Sequence, residues 1–234
     1  TASSTSINVG PFAPSSPGTV GKFLLYASLF WAPKFGCSEE EMVPWIAKSY
    51  KQIDSKNFEI EIFDYVKDSK GNPITIDDVI WSINKSIEIG QFVDGGSNIV
   101  NMEKIDDYHM KMEIATDAPN TFAMLVTNAR LYIVNQKWWE GATDDEKQND
   151  PACTGPYTVK EYNPSEILHV VKNPNYWQKG LPKLDGITFK PVPENSTRVA
   201  MLRTGEAQFI FPVPPEQVKS LEGESGIEVT VSPS

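Results

Sequence analysis

The sequence is poor in cysteine, histidine and positive charge: its 234 residues hold 2 Cys, 2 His and 21 Lys+Arg against 31 Asp+Glu. Cys37 and Cys153 have neither the CxxC spacing of a redox site nor enough companions for a structural zinc, which argues against metal binding through them. Two unpaired thiols is the plainer reading. A long-range disulfide stays open, since an oxidising compartment would permit it and sequence alone does not bring the two α carbons within about 7 Å. The net charge of −10 is spread along the chain, so the clustered Lys/Arg footprint of a nucleic-acid binder is missing and an anionic partner is disfavoured. Long apolar runs are missing too. The best candidate, 23–35, falls short of the roughly 18 apolar residues a span needs and contains Lys34.

What is present is a folding chain. Forty per cent hydrophobic residues, with 6 Trp, 8 Tyr and 11 Phe, fill at least one sizeable core and exclude a disordered or collagen-like polymer. The chain starts at Thr1 with no basic or apolar leader segment, which reads as a chain processed or cloned without one. Residues 1–6 (TASSTS) look like a flexible spacer, either a cloning remnant or the stalk behind a removed or lipidated export signal. Pro11, Pro14 and Pro17 then forbid a helix and predict an extended lead-in.

Periodicity organises the rest. Phe58, Ile60 and Ile62 alternate with Glu59 and Glu61, and Met110, Met112 and Ile114, after Tyr108, alternate with His109, Lys111 and Glu113, predicting two half-buried strands. Between them, 68–73 reads as a turn, and Ile76, Val79, Ile80, Ile83 and Ile87 recur at helical spacing behind a Thr75/Asp78 capping box. A further helix is expected over 121–126. Runs 157–162, 167–171 and 187–189 predict a three-stranded meander after Gly155-Pro156. Asn195 or Ser196 caps a helix that carries Val199 and Leu202 and stops at Gly205; 207–211 reads as a buried strand. Pro214-Pro215 opens a helix ended by Gly223, and Ile227, Val229 and Val231 alternate as a last strand. This order of elements makes the fold class α/β (mixed α+β).

Catalytic constellations do not assemble. His109 faces away from the Met/Ile stripe, as a solvated strand histidine does, and His169 sits in a similar alternating run. Residues 18–23 (GTVGKF) lack the first Gly and the hydroxyl residue of a phosphate loop. Lys70 stands where a calcium loop needs a ligand oxygen, and Asp77-Asp78 suit a helix's first turn without catalytic meaning. Asp144, Asp145 and Glu146 read as a solvated loop or helix start. The remaining surplus is aromatic: Tyr26, Phe30, Trp31, Trp81, Trp138, Trp139, Tyr176 and Trp177, most of them core, some able to line a cleft.

Several anchors in register give a family resemblance. Residues 44–50 (PWIAKSY), the strand 58–62, 71–82 (GNPITIDDVIWS), 154–162 (TGPYTVKEY), 172–177 (KNPNYW), 181–187 (LPKLDGI) and 202–207 (LRTGEA) resemble the elements of the family 5 extracellular solute-binding proteins, the peptide, oligosaccharide and nickel receptors of ABC importers. Departures are local. Phe63 and Tyr65 stand where Arg and Gly are usual, Asp68 replaces an aromatic, Lys70 an Asp, Cys153 a Gly, and Gln208 an Asp.

The resemblance implies a type II periplasmic-binding-protein-like lobe, with a mixed sheet and an inserted β-rich subdomain. It divides the chain into an extended N-terminal spacer, 1–18, and the first lobe of a two-lobed receptor, 19–234, with about 50–150 contributing the insertion and the second lobe absent. It further implies an extracytoplasmic protein, in the periplasm or lipid-anchored on the outer face of the cell membrane. Such a protein closes over a small organic ligand and delivers it to ABC permease subunits, with no catalytic residue, metal or cofactor and no membrane contact beyond an anchor or the permease. Oligopeptides are the expected ligand class and oligosaccharides the alternative on the same scaffold; a standalone interaction or sensory domain is the alternative from another class. Leu29, Phe30 and Trp31, at the expected cleft mouth, and Phe92 and Trp139 are the expected ligand-binding residues.

Overall fold

The computed structural model describes residues 9–12, 21–33, 37–116, 118, 120–128 and 131–230, without the side chains of 93 and 94. In chain order the elements are α1 (Lys22–Leu25), β1 (Phe30–Trp31), a 3-10 turn (Glu39–Glu41), β2 (Val43–Pro44), β3 (Ala47–Gln52), β4 (Asn57–Ile62), α2 (Ile76–Glu88), α3 (Val93–Gly96), β5 (Ile99–Lys104) and β6 (His109–Ile114). Then come α4 (Thr121–Val126), α5 (Gln136–Gly141), α6 (Asp144–Asn149), β7 (Tyr157–Asn163), β8 (Ile167–Lys172), β9 (Gly186–Phe189), α7 (Asn195–Thr204) and α8 (Pro215–Glu222). The class is mixed α and β, as the sequence implies.

Three sheets form: the ribbon β1-β2, a four-stranded sheet in the order β3-β4-β6-β5, and the meander β7-β8-β9. Every ladder among the described residues is antiparallel, so a parallel component of a mixed sheet is not among them. The two strands predicted by alternation are neighbours. Phe58 lies opposite Met112 and Ile60 opposite Met110, and all four side chains are buried while Glu59 faces Lys111 on the other face. Period-2 patterning fixes this register, because a one-residue slip would put both apolar stripes in water.

Helix α2 covers that sheet through Ile76, Val79 and Ile83, all fully buried. Its start is the predicted box: the Asp78 carboxylate accepts the Thr75 backbone N–H at 2.8 Å and the Thr75 hydroxyl at 3.0 Å. The Phe58 and Phe122 rings stack at 4.0 Å and join α4 to the same core. A second apolar cluster gathers Leu25, Tyr26, Tyr157, Val159, Leu168 and Val170 under the meander. Residues 131–134 separate the two: Leu131 and Ile133 belong to the first cluster and Tyr132 and Val134 to the second.

The turn at 68–73 is built on Asp68, whose buried carboxylate accepts the backbone N–H groups of Lys70 and Asn72 at 2.9 and 3.0 Å. The acidic stretch from Asp144 is a helix start, capped by Thr143 and Glu146, whose carboxylate accepts the Thr143 N–H at 2.8 Å. Helix α7 begins at Asn195 itself, with its N-cap one residue earlier at Glu194, and is ended by Gly205 in the left-handed region at φ 76°. Helix α8 runs over Pro215–Glu222 and is ended by Gly223, as predicted. Cys37 and Cys153 are free, buried in the first and second clusters respectively.

The buried strand expected over 207–211 does not form. Phe209 and Phe211 are 81% and 69% exposed, and no ladder includes this stretch. An apolar run becomes a strand only beside another strand that takes its backbone groups; here the Ala207 N–H instead goes back to the Met201 carbonyl at 3.0 Å. The last expected strand is likewise unformed over 227–230, where Ile227 donates back to Glu224, and Val231 lies outside the described residues, as do Pro14 and Pro17 of the lead-in.

Candidate functional site

The early block reaches its place through backbone bonds. The Leu29 carbonyl accepts the N–H groups of Trp45 and Ala47 at 3.2 and 2.8 Å, and the Ser28 hydroxyl donates to the Phe30 carbonyl at 2.6 Å. Pairing Phe30 with Pro44 and Trp31 with Val43 then sends consecutive side chains to opposite sides. Leu29 and Phe30 enter the first core, Phe30 edge-on to Tyr50 at 5.8 Å. Trp31 points out and is 51% exposed, beside the exposed Val43.

Phe92 is buried as well. Its ring occupies the space over Gly95, where an added Cβ would stand 2.1 Å from the ring, so the Gly at 95 is what admits it. Trp139, on α5, is half-buried and packs edge-on against Phe12 at 5.1 Å, with Lys147 over its ring at 5.4 Å. Of the five expected ligand-binding residues, Trp31 alone therefore offers a large free face; Leu29, Phe30 and Phe92 are core, and Trp139 belongs to the aromatic group of Phe12 and Trp81. The structure does not bring the five together as one surface cluster: three lie in the first core and Trp139 packs against the second.

A cleft of about 370 Å³ opens where α2 and α5 begin, lined by Thr75, Asp77, Asp78, Asn135, Gln136 and Glu140 among others. Its polar groups are already engaged. Asp78 accepts the Gln136 N–H at 2.7 Å besides its bonds to Thr75, and Asn135 donates to the Pro73 carbonyl at 3.0 Å while accepting the Trp138 N–H at 2.9 Å. Burial raises the Asp78 carboxyl above its ordinary pKa, against those hydrogen bonds. Asp77 pairs with Lys104 at 2.6 Å. The arrangement fastens two helices to the turn. His109 lies exposed on its strand, with Nδ1 2.8 Å from Asp106.

Sequence reasoning passed over the fastener formed by residues 153–156 and 173–175. The Thr154 hydroxyl accepts the Ala27 N–H at 3.1 Å and donates to the Ile133 carbonyl at 2.7 Å. Asn173 donates to the Cys153 and Gly155 carbonyls at 3.2 and 2.9 Å, and Ser69 donates its N–H to the Cys153 carbonyl at 2.8 Å. The TGPY and NPNYW motifs thus tie the early block, residues 131–134 and the 68–73 turn together. The buried small polar residues in the motif were the available signal.

The family model "Bacterial extracellular solute-binding proteins, family 5 Middle" matches residues 41–234. The glutathione-binding protein GsiB of Escherichia coli is 54% identical over 84 residues, 36% of this chain and 16% of that protein. Among solved structures, the murein tripeptide binding protein MppA of Escherichia coli superposes with a TM-score of 0.81 at 19% identity, over 94% of this chain and 47% of that one. OppA of Burkholderia pseudomallei gives 0.80 at 18% identity, over 92% and 45%. DppA of Helicobacter pylori, in complex with peptide STSA, gives 0.76 at 22%, over 93% and 47%. The chain spans less than half the length of these structures and about a sixth of GsiB in the matched stretch. The periplasmic-binding-protein fold and the family-model match agree with the motifs that Thr154, Gly155 and Asn173 hold together, and the chain belongs to the family 5 bacterial extracellular solute-binding proteins.

Proposed function

We propose that this chain is the first lobe of an extracytoplasmic receptor that binds short peptides and hands them to an ABC permease, with no catalytic step of its own. The observation that carries the reading is Trp31: a half-exposed indole on a ribbon whose neighbours Leu29 and Phe30 are locked in the core. A rigidly mounted aromatic face binds peptide side chains at little entropic cost. The names of the similar proteins support a peptide ligand, since glutathione, a murein tripeptide and the peptide STSA are each peptidic. In this reading residues 1–18 are a spacer, 19–234 the lobe, and about 50–150 the inserted subdomain. A second lobe closes over the ligand and shifts the open and closed populations. The protein works outside the cytoplasmic membrane, held by a lipid anchor or meeting the membrane only at the permease.

The oligosaccharide alternative draws on the same residue, because an exposed indole also stacks on sugar rings. Tryptophan fluorescence of the native-length protein, titrated with glutathione, other short peptides and oligosaccharides, separates the two. Saturable change with peptides, weakened about tenfold or more by Trp31→Ala, supports the proposal. A response to sugars alone, or one indifferent to Trp31→Ala, contradicts it.

A further inference from the structure

A second cleft, of about 600 Å³, lies between the loop after β4 and the loop after β8, and Trp31 takes no part in it. It is lined by Pro44, Phe63, Tyr65, Trp177, Gln178 and Lys179. Its walls are aromatic. Phe63 and Tyr65 lie 5.0 Å apart at 32° on one side, Tyr65 being 53% exposed, and Trp177 lies on the other, held 4.6 Å from Tyr176.

The polar atoms of the cleft are mostly donors. Trp45 donates its indole N–H to the Tyr176 hydroxyl at 3.3 Å, and that hydroxyl donates to Gln178 Oε1 at 3.1 Å, which occupies the amide's oxygen and leaves its NH2. The Trp177 indole N–H is shielded from solvent and meets no acceptor among the described residues. Lys179 is exposed and has no ion-pair partner among them. Asp64, the carboxylate of the first loop, is not among the lining residues.

From these observations we infer that the cleft is a binding site for a small planar carboxylate: a flat ring fits between Tyr65 and Trp177, and its carboxylate meets the Lys179 ammonium and the Gln178 NH2. Aromatic walls supply the area and the donors the charge complement, in a protein whose overall charge is negative and would otherwise repel an anion. The site is separate from the peptide reading, so either stands if the other fails.

The test uses the native-length protein and the probe 2-naphthoate, followed through the Trp177 indole resonance in a 1H–15N spectrum, assigned by its loss in Trp177→Phe. Saturable movement of that resonance is expected, with the neutral analogue 2-naphthalenemethanol binding about tenfold more weakly. Lys179→Gln should bring naphthoate down to the level of the alcohol, and Tyr65→Ala should weaken both probes; both positions are exposed, so the fold survives. No movement, equal affinity for acid and alcohol, or binding untouched by Lys179→Gln or by Tyr65→Ala overturns the assignment.

Discussion

Gly155 donates its backbone N–H to the carbonyl of Leu25 at 2.8 Å, an approach so close that a Cβ on Gly155 would stand 2.5 Å from the Leu24 carbonyl oxygen. Backbone cannot yield as a flexible side chain does, so Gly155→Ala must push the early block away from the meander. Overpacking of this kind costs about 1–3 kcal/mol. Thermal unfolding should show a fall in Tm of several degrees, while Gly141→Ala, where nothing lies within 4 Å, leaves Tm unchanged or slightly raised.

Thr154 extends the same joint. Thr154→Val keeps the shape but strands the Ala27 N–H and the Ile133 carbonyl, both inside the protein, at about 1–3 kcal/mol for each unsatisfied group. Urea denaturation should show a lower midpoint with an unchanged slope, and Thr154→Ser should restore most of the loss.

At the helix cap two effects separate. Thr75→Ala loses the box and should cost about 1 kcal/mol. Asp78→Ala removes in addition the acceptor of the Gln136 N–H, so its loss should be clearly larger, and the double variant should fall short of the sum because the two residues share one set of bonds. A double-mutant cycle measured by denaturant unfolding checks the coupling.

Alkaline pH should destabilise the fold. Burial pushes the Cys153 thiol up from 9.0 to about 12 and the Tyr132 phenol up from 10.0 to about 12, and raises Tyr26 as well. Between the unfolded and folded values the native state holds protons that the unfolded chain has released, so this stability is full below about pH 9 and is lost as pH rises towards 12. Lys22, lowered by burial to about 8, acts with the opposite sign, since its unfolded form holds the proton up to 10.5. Other tyrosines, Tyr50, Tyr157, Tyr162 and Tyr176, are raised by burial too, so the acids outweigh Lys22 and Tm should show a net fall between about pH 10 and 12, measurable by circular dichroism; Tyr132→Phe should flatten it.

The sequence made legible those elements whose own pattern meets a partner of like pattern. Phe58–Ile62 and Met110–Ile114 alternate and pair with each other; Thr75 and Asp78 sit three apart and bond. What stayed hidden depends on distant chain. Strands β3 and β5 carry mostly exposed residues and owe their form to the edges of β4 and β6, so neither shows an apolar stripe. Residues 207–211 look like a strand but find no ladder. At the candidate site, only the pairing of Phe30 with Pro44 decides that Phe30 turns inward and Trp31 outward.

Peptide reception is the central claim, and native mass spectrometry of the native-length protein, mixed with equal concentrations of short peptides and oligosaccharides, tests it most directly. The account predicts one-to-one complexes with peptides, glutathione among the first to try, that are lost or much reduced in Trp31→Ala. Complexes with oligosaccharides only, or no complex with any peptide by a folded protein of full length, would contradict it.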